Sequence, residues 1–299
     1  MADTRVAGTT KECYLRVLTF RRTLLMSICP VTDARERSCM DNVRPPNLGD
    51  YLRALRTRST PQQPGGLTRT EFAAKLYWSV SHITQVERNE SAHPSVKFLE
   101  DVSRVLSLDP AQRRHLYNLA RRTQTERETS TTPWTIDQYR SLVTPEMRTV
   151  ITALNPHLVA YLDERWNVIE CNAAYDRAFP GLLDDGNVLR WLFSTPQSKH
   201  VMAEWEAETA LTVNWFRALM GRYYNPEWAI ETLQELSQFP AFRRLWDKED
   251  VRFGRHQPFM HLRDADTGEE YRVHVQVHTE MRGDYPVQMY LGVRIPGTQ

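Results

Sequence analysis

The segment from Leu67 to Arg88 reads LTRTEFAAKLYWSVSHITQVER and contains two helix starts. Thr68 and Ser79 each precede a helical pattern of apolar residues, and both residue types cap helix N-termini. Ile83 and Val86 share one side of the second helix, which leaves small and polar residues on the opposite side. The spacing predicts two short helices joined by a tight turn, the second packed by its apolar side and open on its polar side.

Helical signals continue on both sides of this pair. The apolar stripe of the preceding helix consists of Leu48, Tyr51, Leu52 and Leu55. Two more helix starts follow, at Pro94-Ser95 and at Asp109-Pro110, where proline suits the first helical position. Residues 47–122 are therefore predicted to form one all-α domain of five short helices.

The pair resembles the helix-turn-helix of the phage-repressor (XRE) family. In that family, the second helix reads base edges in the major groove of double-stranded DNA. The resemblance assigns DNA contacts to Arg69, Val80, Ser81, Thr84, Gln85 and Arg88. Arg69 matches a phosphate-contacting position at a helix start, and Gln85 has the geometry to bond an adenine. The alternative is a polar, solvated helix face in a module that binds no DNA.

The same resemblance implies a buried ion pair between Arg56 and Glu87 that holds the first and third helices together. Unrelated surface charges are the alternative, since such pairs often contribute little. Tyr77 departs from the family, which usually has a left-handed glycine at this place. A tyrosine there costs about 1–2 kcal/mol if the turn is kept. We therefore expect either a strained turn or a slightly different one.

The second half of the chain has a different pattern. Residues 123–134 are predicted to be a linker because their first ten residues, TQTERETSTT, are polar and lack periodicity. Strands are predicted at 157–162, 167–171, 271–277 and 287–295. The segment between 187 and 250 is helical in pieces, with a central, buried helix at 202–220. Strands at both ends with helices between them predict an α+β domain with an antiparallel sheet over residues 135–299.

Several short segments stand in a specific order along this half. They are Asn155-Pro156, Trp166-Asn167-Val168, Asn172-Ala173-Ala174, Asn187–Phe193 and Phe242–Trp246. Their order and spacing resemble the ligand-binding domain of the MmyB-like transcription regulators, a PAS-like fold. One departure is at His261, which the family tends to follow with proline.

The second resemblance implies that a small apolar ligand binds between the sheet and the helices. A fatty-acid-like or polyketide-like molecule fits an apolar lining better than a sugar or a nucleotide. The candidate lining residues are Trp191, Phe193, Trp215 and Phe216 from the helices and Val275, Val277, Met289 and Leu291 from the sheet. For any one of these residues, ordinary core packing is the alternative.

Charge is divided unevenly along the chain. Residues 47–122 carry a net charge of +5 and residues 123–299 a net charge of −7, which suits a polyanion-binding module joined to another unit. Chance explains so modest an excess equally well. Four scattered cysteines without a CxxC pair favour a reducing cytoplasm over a disulfide scaffold or a zinc site. No apolar run is long enough to span a membrane.

Residues 1–46 are expected to be an N-terminal extension outside both domains. One hypothesis is that Met40 is the natural start, since 33 Arg against 5 Lys indicate a GC-rich coding sequence in which start codons are often misassigned. The other is a disordered basic arm that adds phosphate contacts.

Sequence motifs for catalysis are missing: GxSxG, HExxH, the Walker loop and GxGxxG do not occur. His274 and His278 are separated by about 13 Å along a strand, too far for one metal ion. We therefore predict a transcription regulator without enzymatic activity, cofactor or metal, which binds DNA as a homodimer. One alternative is a protein-interaction module, such as an antitoxin-like partner binder with a dimerisation domain. Another is an enzyme with a helix-turn-helix appendage.

Overall fold

The start of the fold is earlier than the sequence suggested. The computed structural model describes residues 43–60, 63–90, 94–125, 134–222, 226–282 and 285–295. Its helical and sheet-containing halves belong to one compact unit that begins at Val43. Val43 packs against the cluster around Phe216, and Pro46 is buried. The expectations for the extension up to Asn42 fall outside the described residues, whereas residues 43–46 are part of the fold.

Five helices form the first half, as the apolar spacing predicted. They are α1 Leu48–Thr57, α2 Arg69–Leu76, α3 Val80–Glu87, α4 Val96–Val105 and α5 Pro110–Thr125. The Thr68 hydroxyl accepts from the Glu71 backbone, and the Glu71 carboxylate accepts from the Thr68 backbone, which fixes the start of α2. Helix α5 continues three residues into the predicted linker, because neither proline nor glycine interrupts it.

Nine helices are described in the second half. They are α6 Ile136–Ser141, α7 Pro145–Ala153, α8 Ala173–Ala178, α9 Leu182–Asp185, α10 Val188–Ser194, α11 Pro196–Val201, α12 Trp205–Arg222, α13 Pro226–Ser237 and α14 Pro240–Trp246. The central helix α12 starts at Trp205, later than the predicted 202. The reason is that Met202 forms a β-bridge with Leu262, and the Ala203 N–H donates to the His261 carbonyl at 3.0 Å. These backbone groups are tied to a strand and cannot continue a helix.

A five-stranded antiparallel sheet completes the second half and confirms the α+β prediction. Its strands are β1 Leu158–Leu162, β2 Val168–Cys171, β3 Phe259–Arg263, β4 Glu270–Arg282 and β5 Tyr285–Ile295. Their order in the sheet is β2-β1-β5-β4-β3. Strand β3 was not among the strands predicted from alternation. Helices α8 to α12 supply residues to the core on one face, and α6 and α7 cover the other face.

The register of the β4–β5 hairpin corrects the prediction of one inward sheet face. Val275 lies opposite Gly292 and Val277 opposite Tyr290, so these residues share a face. Met289 and Leu291 are one residue out of step and belong to the other face, where they pack against the cluster of α6 and α7. Both strands alternate regularly, and alternation alone does not say how the two are aligned.

Candidate functional site

The polar side of α3 is open to solvent over most of its length. Ser81, Gln85 and Arg88 are exposed, and Val80 is 42% exposed. Thr84 is half-buried, and its hydroxyl donates to the Val80 carbonyl at 2.8 Å. The helix therefore presents small and hydrogen-bonding side chains on one side with little apolar surface.

The opposite side of α3 is held by a cluster that the sequence did not predict. The His82 ring stacks on Trp78 with 4.7 Å between ring centroids and meets the edge of Phe98 at 4.9 Å. Ile83 and Val86 are fully buried beside it. Burial lowers the pKa of His82, so the ring stays neutral within the cluster. The recurrence of aromatic residues at 78, 82 and 98 was the available signal.

The turn before α3 keeps the left-handed geometry despite its tyrosine. Tyr77 has φ 58° and ψ 37°, and its N–H closes the end of α2. Its side chain is 92% exposed, so packing does not compensate the strain of this conformation. The turn is therefore the strained one of the two expected alternatives.

Glu87, at the end of α3, is a fully buried carboxylate shared by several arginines. Arg56 Nε lies 2.6 Å from Glu87 Oε1, and Arg69 Nε lies 2.7 Å from Oε2. Arg53 Nε is more distant, at 3.9 Å. The expected pair with Arg56 is thus part of a larger cluster. Arg69 was expected only to contact phosphate. Its Nε binds Glu87, and 41% of its side chain remains exposed.

The electrostatics of this cluster favour the charged form of Glu87. Burial alone would raise the pKa of the carboxyl group. The hydrogen bonds from Arg56 and Arg69, with their positive charges, outweigh burial and lower the pKa. Glu87 therefore remains ionised at neutral pH and connects α3 to both α1 and α2.

A cavity of ≈ 90 Å³ lies between the sheet and the helices. Four of the eight candidate lining residues border it: Trp191, Trp215, Val275 and Val277. Phe193 and Phe216 pack into the neighbouring aromatic cluster instead, where Phe193 meets Phe242 and Phe216 meets Trp246. Met289 and Leu291 lie on the other face of the sheet. The lining is largely apolar, as expected for a small-molecule site.

Polar groups that the sequence analysis missed also border this cavity. Arg255 and Glu208 form a two-pronged ion pair, with Arg255 Nη1 2.8 Å from Glu208 Oε1 and Nη2 on the other carboxylate oxygen. Tyr290 contributes a buried phenol whose hydroxyl points to the Met260 sulfur at 3.9 Å. Glu208 is three residues from Trp205 on α12, but nothing in the sequence relates it to Arg255, 47 residues away.

Helix α12 extends from this cavity to the helical half. Glu208, Leu211 and Trp215, between its first and third turns, border the cavity. Ala218, on its second half, is buried in the core that α1 to α5 form. At Gly221 a Cβ would lie 2.4 Å from the His115 ring of α5, so only glycine permits this approach.

Residues 247–253, here called the docking segment, make a second connection. The Arg58 side chain of the helical half donates to the Lys248 carbonyl at 3.0 Å and pairs with Asp250 at 3.2 Å. Val251 is buried in the core of α1 to α5. The segment leads directly to Arg255 in the cavity wall.

The part of the chain that the structure describes contains no cluster of three His, Cys, Asp or Glu side chains suited to a metal ion. Burial raises the pKa of the Cys171 thiol to about 11, so it stays protonated. No described helix is long and apolar enough to cross a membrane.

Comparisons with known proteins give separate matches for the helical half and the sheet-containing half. Residues 47–116 match the model of a helix-turn-helix domain, and residues 143–298 match the model of the MmyB-like transcription regulator ligand binding domain. A search of curated proteins finds no match. Neither matched family is enzymatic. The second match covers more than half of the chain, and the protein therefore belongs to the MmyB-like transcription regulators, with a DNA-binding helix-turn-helix domain followed by a ligand-binding domain.

Proposed function

We propose that this regulator binds a specific DNA sequence through α3, acts as a homodimer, and changes its DNA affinity when a small apolar molecule occupies the cavity. Gln85 and Ser81 read base edges in this proposal, with Val80 beside a thymine methyl group. Arg69 and Arg88 contact phosphates, because both retain exposed donors next to α3. A two-fold dimer places two such helices in successive turns of the major groove.

The observation that carries the coupling is that α12 belongs to two buried environments. Glu208, Leu211 and Trp215 border the cavity, and Ala218 lies in the core of the helix-turn-helix domain. A ligand that moves Trp215 or Leu211 displaces a helix whose other end packs against α5. Close-packed elements transmit such shifts because they leave no free volume to absorb them.

Polar contacts also hold α12 against the docking segment. The guanidinium of Arg217 on α12 is fully buried, bonds to the Trp246 carbonyl and pairs with Glu249 at 2.8 Å. Glu249 lies in the docking segment, two residues before the buried Val251. A displacement of α12 would therefore shift the docking segment. Asp250 of this segment pairs with Arg58, which directly follows α1, so the shift would reach α1 as well.

The test uses the full-length chain. Unbiased selection from random DNA first gives the bound sequence, and light scattering gives the oligomeric state with and without it. DNA affinity is then measured with octan-1-ol as an apolar probe, and we expect it to change between about 5-fold and 100-fold. Linkage requires that DNA change the affinity for octanol by the same factor.

A matched pair of variants locates the effect. Leu211→Trp fills the cavity and should abolish the response to octanol, whereas Ile230→Trp adds the same group to an exposed position of α13. Equal responses in both variants would contradict the proposed cavity. Octanol binding without any change in DNA affinity would contradict the coupling.

A further inference from the structure

The charged groups of the cavity wall neutralise each other. Among the described lining residues, the charged side chains are Arg255 and Glu208, which are 15% and 7% exposed. Both carboxylate oxygens of Glu208 are bound by the guanidinium. Arg255 Nη1 also donates to the Phe259 carbonyl at 3.3 Å. The pair therefore offers no uncompensated charge to a ligand.

An acidic ligand, such as the fatty acid that the sequence left open, would disturb this arrangement. To reach Arg255, its carboxylate must displace Glu208, which then remains buried without a partner. To avoid Arg255, the acid must leave its charge beside neutral groups only, namely aromatic and aliphatic side chains with the Thr212 hydroxyl and the Gln288 amide. Either course costs enough to lower affinity by roughly 100-fold or more.

A neutral oxygen has a partner in the same cavity. The hydroxyl of Tyr290 is buried, and its hydrogen-bond partner is the Met260 thioether at 3.9 Å, a weak acceptor. Burial also raises the pKa of Tyr290, which keeps the phenol protonated and able to donate. A ligand alcohol, ester or ketone oxygen accepts a better hydrogen bond than the thioether does.

We propose that the cavity selects an uncharged ligand, an apolar chain or ring system with a neutral oxygen that accepts from Tyr290, and rejects the corresponding carboxylate. This inference rests on the proposed function, because it specifies the ligand of the same cavity. At ≈ 90 Å³ the cavity is smaller than the about 300 Å³ of typical ligand pockets. Leu211 and Trp215 in its wall are half-buried, and the proposal requires that they move outward when the ligand binds.

The first test compares octan-1-ol, methyl octanoate and octanoate on the full-length chain at neutral pH. Tryptophan fluorescence and thermal unfolding report binding. We expect both neutral probes to bind and octanoate to bind at least about 100-fold more weakly. A smaller difference, or tighter binding of octanoate, would overturn the inference and leave the proposed apolar cavity standing. Failure of all three probes to bind would overturn the proposed cavity ligand together with the inference.

Variants on α12 test the role of the ion pair. Glu208→Gln frees the charge of Arg255, so octanoate affinity should rise about 10-fold while octanol affinity stays the same. Glu206→Gln, at an exposed position of the same helix, should change neither. A rise in affinity for both probes in Glu208→Gln would show that the pair restricts space rather than charge, and would overturn the inference. The comparison of probes on the unmodified chain stays decisive if Glu208→Gln does not fold.

A third variant tests the phenol. Tyr290→Phe should lower the affinity for octanol and methyl octanoate by roughly 5-fold, which corresponds to one neutral hydrogen bond. Tyr271→Phe, a half-buried tyrosine outside the lining, should leave both affinities unchanged. Equal affinities in Tyr290→Phe and the unmodified chain would overturn the assigned role of Tyr290.

Discussion

Replacing Glu87 with glutamine tests the arginine cluster that holds α3 in place. The substitution keeps the shape of the side chain and removes its charge. Arg56, 8% exposed, then loses a partner at 2.6 Å, and Arg69 loses one at 2.7 Å. Breaking a buried ion pair by removing one partner costs about 3–5 kcal/mol. Because Arg69 is 41% exposed and Arg56 keeps its bond to the Leu67 carbonyl, we expect a loss of about 3 kcal/mol.

The assay is urea unfolding of the full-length chain, followed by the helical circular dichroism signal. Urea is preferred to guanidinium because it does not screen charges. Glu90→Gln is the matched control: Glu90 is 55% exposed and lies 3.8 Å from Arg88, so its loss should stay within about 0.5 kcal/mol. A loss below about 1 kcal/mol for Glu87→Gln would refute the reasoning that the carboxylate is desolvated and indispensable.

The difference between Glu87→Gln and the unmodified chain should depend on pH. The pKa of Glu87 in the folded chain lies below the ordinary value of 4.5. The stabilisation that its carboxylate gives to the fold is therefore fully present above pH 4.5. The contribution is lost as the pH falls through the folded pKa, where the carboxylate becomes protonated. The two proteins should therefore converge in stability in acid, and a constant difference would contradict the assigned pKa shift.

Three further predictions concern α2 and α3. Gln85→Ala should cost about 1–3 kcal/mol at one base position of the selected DNA, measured by competition between site variants, and an equal loss on random DNA would contradict base reading. Arg69→Ala should weaken binding to all sequences and make the salt dependence shallower by about one unit, whereas an unchanged slope would leave Arg69 a purely structural partner of Glu87. Tyr77→Gly should stabilise the chain by about 1 kcal/mol in urea unfolding, because glycine adopts a φ of 58° without strain and the exposed tyrosine side chain contributes no packing. A loss of stability would mean that this side chain has a partner.

The helical half was predictable because its signals are local. Caps at Thr68 and Ser79 and the spacing of Ile83 and Val86 act within one or two turns, and the structure has α2 and α3 where they indicate. At Tyr77 the sequence left two outcomes open, a strained left-handed turn or a slightly different one, and the structure has the left-handed turn. Local rules do not reveal which distant side chains meet, so the additional bond from Arg69 to Glu87 was missed.

Only half of the predicted cavity lining was correct, because the sequence shows local patterns and does not show long-range contacts. Trp191 and Trp215 were identified as aromatic residues on helices, and both border the cavity. Met289 was assigned to the wrong face because the register of β5 against β4 is set by long-range pairing. The pair of Glu208 and Arg255 depends on contacts between residues far apart in sequence, and no periodicity encodes it.

The presence of Ala218 and Val251 in the core of α1 to α5 limits how this protein can be divided or recombined. A cut in the segment after α5 would separate the two matched regions in sequence. The DNA-binding fragment would then lack these two residues of its hydrophobic core. Grafting that piece onto another sensor would require a surrogate for the end of α12 and for the docking segment. Exchange of whole halves between relatives is therefore constrained to partners whose surfaces at these two places have changed together.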